Sequence, residues 1–182
     1  MTIKPYLAVA LFLGCIPVTT AQTTVPAATD EGHVSTTMTF VVKAPMQKAA
    51  PLFTPTGMQC WLGSHFQPEI VHAQPMKDTA GAVFTMQQGP QKSVWVNTLL
   101  DVKDGRMQYA MFVPDTMVTI VEVRMISDGK DATRVELTHT VTALSADART
   151  ALKSMGAQSQ EHIAAAQKAI EGCLATDGGV RQ

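Results

Sequence analysis

The chain has 182 residues, a formal net charge of −1 at pH 7 and a sequence pI near 6.5. This balance provides no basic field for phosphate groups, so no nucleic-acid partner is expected. Charged residues make up 16% of the chain, below the ~25% of an average domain, whereas methionine occurs 11 times. The composition therefore predicts much concealed apolar surface, either in a filled core or in the wall of a cavity.

The first 21 residues have the composition of a secretory signal peptide. Lys4 precedes an apolar stretch that is too short to span a bilayer, and the small residues Thr19 and Ala21 form a cleavage signal. We expect cleavage after Ala21, export to the periplasm or the extracellular space, and no transmembrane span in the mature chain. Lipidation of Cys15 is the alternative, although its motif lacks the leucine usually found three residues before the cysteine.

The remainder of the chain has the length of one domain. Residues 22–33 are rich in Thr, Ala and Pro without apolar periodicity, which predicts a flexible lead-in. Residues 34–176 are enough to bury a single core, and residues 177–182 are expected to form a frayed tail. We expect this domain to be a monomer.

The first part of the domain predicts a strand and short helices. Residues 34–43 alternate loosely and are rich in Thr and Val, as strands are. Residues 44–50 contain helix formers and end at Pro51, so they predict a short helix. Residues 54–57 have a turn composition, and residues 58–62 can form another short helical segment.

Apolar alternation with a period of two follows, and a helical pattern ends the chain. Because turn residues separate neighbouring strands, we expect an antiparallel meander. Ser145 is a favourable N-cap for one helix over residues 146–174, about 43 Å long. This order predicts an α+β fold in which the sheet buries one face against the helix. The strands are expected at residues 82–87, 93–102, 106–113, 117–126 and 133–143.

The alternation also divides the strand side chains between two faces. Glu122 and Glu136 fall on the outward face with arginines, whereas methionines, Tyr109 and His139 fall on the inward face. An inward face of this kind suits either a plain core or a ligand pocket. The inward set of the last three strands comprises Met107, Tyr109, Met111, Val113, Met117, Thr119, Val121, Val123, Met125, Val135, Leu137, His139 and Val141.

Several short motifs, in this order of elements, resemble the START-like (SRPBCC, Bet v 1-like) superfamily, in particular its polyketide cyclase/Hsp90-activator-like branch. The resemblance covers residues 35–174 and implies a helix-grip fold, in which a curved antiparallel sheet wraps around a long C-terminal helix and two short helices follow the first strand. Members often carry a glutamate near the position of Met58, and its role cannot be carried over to this chain. The motifs are VVKAP at 41–45, PLFTP at 51–55, Trp61, GAVF at 81–84, VWV at 94–96 and THTVTAL at 138–144.

The resemblance further implies a cavity between helix and sheet for a hydrophobic small molecule or lipid. No cofactor is expected, because the chain lacks a phosphate-cradling loop and a dinucleotide fingerprint. No metal site is expected either, because neither the histidines nor the cysteines have ligand spacing. The expected ligand contacts are Phe84, Met107, Tyr109, Met111, Met117, Val121, Val123, His139, Met155, Ser159 and Ile163.

Three functions are compatible with this pattern. The leading hypothesis is an exported binding protein without chemistry of its own. The second is a cyclase/dehydratase-like enzyme that uses Tyr109 and His139 on a ketone-bearing apolar substrate, although no carboxylate joins them on the inward face. The third is an envelope protein with a filled core that acts through a partner surface.

Cys60 lies beside Trp61 without a nearby base or positive charge, which argues against a nucleophile. After cleavage at Ala21, the mature chain contains two cysteines in an oxidising compartment. The resemblance implies that the second short helix, with Cys60, grips the end of the long helix, with Cys173. We therefore expect a disulfide between them, with two separate buried thiols as the alternative.

Overall fold

The computed structural model describes residues 22–24, 32–73, 78–88, 91–155 and 159–176. The predicted signal peptide, Cys15 and the predicted frayed tail lie outside these residues. The described residues form one antiparallel sheet of eight strands with four α-helices, in the strand order β1-β2-β8-β7-β6-β5-β4-β3. The strands are β1 (Gln22–Thr24), β2 (His33–Val42), β3 (Glu69–His72), β4 (Val83–Gln88), β5 (Gln91–Asp101), β6 (Arg106–Val113), β7 (Met117–Ser127) and β8 (Thr133–Ala143).

The predicted meander is confirmed: β3 to β8 pair in sequence order, and β2 then pairs with β8 along its whole length. Tight turns allow these short connections. Gly105, between β5 and β6, has a φ of 63°, a left-handed conformation that glycine adopts without strain. A Cβ at this position would lie only 2.8 Å from the Cβ of Met125, so the turn packs closely against β7.

The edge strand β1 was not predicted. Its residues belong to the lead-in that was expected to be flexible, yet they pair with β2 in an antiparallel register that places Gln22 opposite Thr39 and Thr24 opposite Thr37. This pairing covers backbone groups that the edge of β2 would otherwise leave open.

The strand at the opposite edge, β3, was not predicted either. It pairs with β4, and Ile70 is opposite Phe84. Its four residues are partly or fully exposed, with Ile70 less so than its neighbours. A strand this short contains too few alternations to be recognised from its sequence.

The short helices lie between β2 and β3. Helix α1 (Met46–Ala49) continues into a 3₁₀ helix (Ala50–Phe53), and helix α2 (Pro55–Leu62) follows. The turn predicted at residues 54–57 is wrong, because Thr54 is the N-cap of α2 and accepts a hydrogen bond from the Gly57 N–H at 3.1 Å. Proline is favoured at the first helical position, where its missing N–H costs nothing, so the same residues begin a helix.

The C-terminal helical region was predicted as one helix over residues 146–174, and residues 156–158 of that range lie outside the described residues. Helix α3 (Ala146–Met155) and helix α4 (Ser159–Ala175) are separate elements. The predicted cap is confirmed, because the Ser145 hydroxyl accepts a hydrogen bond from the Ala148 N–H at 3.2 Å.

The main core lies between the inner face of the sheet and helices α2 and α4. The predicted division of the strand faces is confirmed in this core, where Tyr109, Val123 and Val135 are at most 5% exposed. On the outer face, Glu122 accepts a hydrogen bond from Gln108. No helix within the described residues is both long enough and apolar enough to cross a membrane.

The predicted disulfide is confirmed. Cys60 of α2 is bonded to Cys173 of α4, with 6.1 Å between their Cα atoms. The bond links positions separated by 113 residues and holds α2 against the C-terminal part of α4. This is the grip that the resemblance implied.

Candidate functional site

A cavity of about 600 Å³ lies between helices α2 and α4 and the inner face of the sheet. Small-molecule sites typically have volumes of about 300 to 1,000 Å³, so this space is large enough for a ligand. It is also not the filled core that one of the sequence hypotheses required. Leu62 and His162 contact the cavity and are exposed to solvent, so the cavity reaches the surface near them.

The sheet provides one wall of the cavity in two adjacent rows. Tyr109, Val121 and His139 are directly opposite one another on β6, β7 and β8. The next row contains Val123 and Leu137 of β7 and β8, followed by Met38 of β2. Side chains in such rows share one face of the sheet, so together they form a continuous surface toward the helix.

Helix α4 provides the facing wall with small side chains. Ala165, Ala166 and Ala169 line the cavity beside Ile163. Positions three and four apart lie on the same side of a helix, so these alanines form a shallow strip where larger residues would fill the space. The cavity therefore exists partly because this face of α4 lacks long side chains. The three alanines were not among the predicted ligand contacts, although their helical spacing is visible in the sequence.

Aromatic side chains line the cavity from α2 and β5, and their polar atoms are already bonded. The Trp61 indole N–H donates to the Leu52 carbonyl at 2.7 Å. The Trp95 indole N–H donates to the Ser93 hydroxyl at 2.9 Å. The rings therefore present apolar surface to the cavity while their N–H groups remain satisfied.

The Tyr109 hydroxyl is committed to the fold. Its side chain is buried, and the hydroxyl donates a hydrogen bond to the Phe53 carbonyl at 2.6 Å. Burial, with a smaller contribution from the negative charge of Asp78, raises the pKa of Tyr109 well above its ordinary value. The hydroxyl therefore stays protonated and ties β6 to the end of the 3₁₀ helix.

His139 is a second polar residue of the sheet wall, and its side chain, unlike that of Tyr109, is not bonded to the described part of the fold. Its imidazole lines the cavity, and no hydrogen bond joins it to any residue in the described part of the chain. Burial lowers the pKa of His139 below its ordinary value, because a charged imidazole is poorly solvated there. The neutral ring can both donate and accept a hydrogen bond.

The structure brings only part of the predicted ligand set to the cavity. Phe84 stacks on Trp95 with 5.6 Å between ring centroids and does not itself line the cavity, and Met107 is buried in the core. Met111 and Met117 lie on other rows of the inner face and do not line the cavity. The side chains of Met155 and Ser159 lie outside the described residues. The predicted residues that line the cavity are Tyr109, Val121, Val123, His139 and Ile163.

Side chains suited to metal binding do not cluster in the described ranges. Among those residues, no group of three or more His, Cys, Asp or Glu side chains is arranged to hold a metal ion.

Comparison with known proteins identifies the fold. No protein-family model and no curated protein sequence matches the chain. The chain is similar in structure to norcoclaurine synthase from Thalictrum flavum, with 13% identity, a TM-score of 0.58, and coverage of 96% of this chain and 99% of that one. It is also similar to Ara h 8.0201, with 13% identity, a TM-score of 0.57, and coverage of 80% and 99% respectively.

A third similar structure is CalU16 from Micromonospora echinospora, with 18% identity, a TM-score of 0.50, and coverage of 86% of this chain and 96% of that one. Identities this low establish architecture alone. The protein has a Bet v 1-like helix-grip fold of the α+β class. One structure of norcoclaurine synthase is a complex with dopamine and hydroxybenzaldehyde, so that protein binds small aromatic molecules.

Proposed function

We propose that the protein is an exported binding protein that holds a hydrophobic small molecule or lipid between α4 and the sheet. The cavity of about 600 Å³ carries this proposal, because its described lining contains no Asp, Glu, Lys or Arg. Transfer of an apolar ligand from water to such a wall is favourable by about 25 cal/mol per Å² of buried surface. Most of the binding free energy would therefore come from burial.

The export part of this proposal rests on two independent features. The first 21 residues have the composition of a signal peptide, with lipidation at Cys15 as the alternative. The Cys60–Cys173 disulfide suits an oxidising compartment such as the periplasm or the extracellular space. The mature chain would act there as a monomer that carries or stores its ligand.

Titration with N-phenyl-1-naphthylamine, an uncharged dye that fluoresces in apolar surroundings, tests the binding function. Ala166 lines the cavity, whereas Ala164 lies on the same helix, is exposed and does not line it. We expect saturable binding of one dye per chain, at least about tenfold weaker binding by Ala166→Phe, and nearly unchanged binding by Ala164→Phe. Equal binding by both variants would place the dye elsewhere and contradict the proposal.

A cyclase/dehydratase-like enzyme is the second candidate, because Tyr109 and His139 line the same cavity on either side of Val121. The hydrogen bond from Tyr109 to Phe53 weighs against it, because a proton donor must be free to reach its substrate. Tyr109→Phe and His139→Ala separate the two functions. A binding protein should retain most of its dye affinity in both variants, whereas an enzyme should lose turnover of a ketone-bearing aromatic substrate by orders of magnitude.

A further inference from the structure

The disulfide lies beside the cavity, between the two helices that cover it. Cys60 directly precedes Trp61 of α2, which lines the cavity. Cys173 lies one helical turn after Ala169 of α4, which also lines the cavity, and residues at that spacing share one side of a helix. The disulfide therefore joins α2 and α4 next to their ligand-facing residues.

Helix α2 is anchored to the fold by contacts other than the disulfide. The Trp61 indole N–H donates to the Leu52 carbonyl at 2.7 Å, and the Trp61 ring packs on Phe53 with 5.7 Å between centroids. The Phe53 carbonyl in turn accepts a hydrogen bond from Tyr109 of β6. We therefore expect α2 to keep its position against the sheet when the disulfide is opened.

Helix α4 depends more on the disulfide, because part of it spans the cavity. Its strip of alanines leaves space where larger side chains would contact the sheet, and side chains that face such a space lose dispersion contacts. Apart from the disulfide, Ile163 and Ile170 of α4 are buried in the core, and the Gln167 amide donates to the Val41 carbonyl at 2.9 Å. The link from Cys173 to α2 offsets part of the missing packing.

The two cysteines differ in their exposure to solvent. Cys60 is exposed, whereas Cys173 is 5% exposed and belongs to the core. A reductant can therefore approach the disulfide from the side of α2. Exposed disulfides tend to be the ones that are reduced readily, whereas fully buried ones resist reduction.

We propose, on the basis of the binding function above, that the Cys60–Cys173 disulfide is a redox switch for retention of the ligand. In the oxidised protein, the disulfide holds α4 over the cavity and the ligand is retained. A dithiol reductant opens the disulfide, which separates the C-terminal part of α4 from α2 and releases the ligand.

The chemistry of the switch is thiol–disulfide exchange. One thiolate of the reductant attacks the sulfur of Cys60, and the sulfur of Cys173 leaves with the electron pair of the broken bond and takes up a proton. The second thiolate of the reductant then displaces Cys60 from the mixed disulfide. The reductant ends as a disulfide after supplying two electrons and two protons, and the protein ends with two thiols.

Binding of N-phenyl-1-naphthylamine before and after reduction by dithiothreitol tests the switch under native conditions. We expect reduction to raise the dissociation rate and the Kd of the dye at least about fivefold each, the lower end of typical coupling between two sites. The far-UV circular dichroism should not change. The oxidised form of dithiothreitol controls for the reagent and should leave dye binding unaltered.

A variant and a linkage measurement provide independent checks. Cys60→Ser/Cys173→Ser should bind the dye as weakly as the reduced wild type and should not respond to dithiothreitol. Because coupling between two equilibria is reciprocal, saturating dye should make the disulfide harder to reduce by the same factor. Thiol alkylation in mixtures of reduced and oxidised dithiothreitol, with and without dye, measures this change.

Equal dye affinity and equal dissociation rates in the oxidised and the reduced protein would overturn the switch and leave the binding function standing. Loss of the circular dichroism signal on reduction would also overturn it, because the disulfide would then hold the whole fold. Failure of the oxidised wild type to bind the dye would instead overturn the binding function, and the switch with it.

Discussion

We predict that His139 contributes a pH dependence to the stability of the protein. Its lowered pKa means that the unfolded chain binds a proton more readily than the native state, starting near the ordinary value of 6.5. The contribution of the neutral imidazole is therefore complete above that pH and is lost as the pH falls toward the native pKa. Urea unfolding at pH 7.5, 6.5 and 5.5 measures this loss.

The variant His139→Gln should show a smaller decrease in unfolding free energy between pH 6.5 and 5.5 than the wild type. His72 lies on β3 and is exposed, so His72→Gln provides the control and should keep the wild-type dependence. An identical decrease in the wild type and in His139→Gln would show that His139 is not the group responsible.

Two buried threonines should respond oppositely to the same substitution. The hydroxyl of Thr119 is unpaired, so Thr119→Val should raise the free energy of unfolding by about 1 kcal/mol. The hydroxyl of Thr133 donates to the Ala44 carbonyl at 2.8 Å, so Thr133→Val should lower it by about 1 to 3 kcal/mol. Chemical denaturation of the unliganded protein measures both changes, and destabilisation by both would contradict the assignment of Thr119 as unpaired.

Two helical glycines provide a matched test of how the helices pack. A Cβ at Gly57 of α2 would overlap the carbonyl oxygen of Pro51, whereas a Cβ at Gly172 of α4 would enter open space. Gly57→Ala should therefore destabilise the protein by about 1 to 3 kcal/mol through overpacking. Gly172→Ala should stabilise it by up to about 1 kcal/mol through helix propensity. Equal thermal shifts in the two variants would be incompatible with this packing.

The disulfide should contribute strongly to the attachment of α4. Its loop of 113 residues predicts a stabilisation of about 4 to 5 kcal/mol in the chain-entropy model. Unfolding of the wild type should thus shift strongly when reductant is added, whereas unfolding of a Cys60→Ser/Cys173→Ser variant should not respond. A wild type that is insensitive to reductant under denaturing conditions would argue against a structural role for the bond.

Long strands that end at clear turn residues were predicted best from the sequence. The bounds of β6 and β8 were predicted from sequence because strong alternation ends there at turn residues. The start of α2 was missed because Thr54, Pro55 and Gly57 are typical both of turns and of helix starts. The two short edge strands depend on tertiary context that periodicity does not capture.

For the whole molecule, the fold was easier to predict than the cavity. Alternation indicates which face of a strand is inward, but not how far the facing helix stands from each row. Met107 was placed inward correctly, yet it packs in the filled part of the core. The open part is set by Ala165, Ala166 and Ala169 on α4, whose small size matters only once the helix is placed opposite Val121 and its neighbours.

The helix-grip fold does not by itself assign a function, since one fold supports many activities. In this chain the described cavity lining carries no Asp, Glu, Lys or Arg, the Tyr109 hydroxyl is bonded to Phe53, and the His139 imidazole has no hydrogen bond to a described residue. That combination favours retention of an apolar molecule over acid–base chemistry on it.

A crystal structure of the oxidised protein with 2-naphthol would test this function and locate the ligand. We predict one naphthol molecule between α4 and the sheet, against Val121, with its hydroxyl within hydrogen-bonding distance of His139. Ligand density confined to the protein surface, with the cavity of about 600 Å³ closed by side chains, would contradict the proposed function.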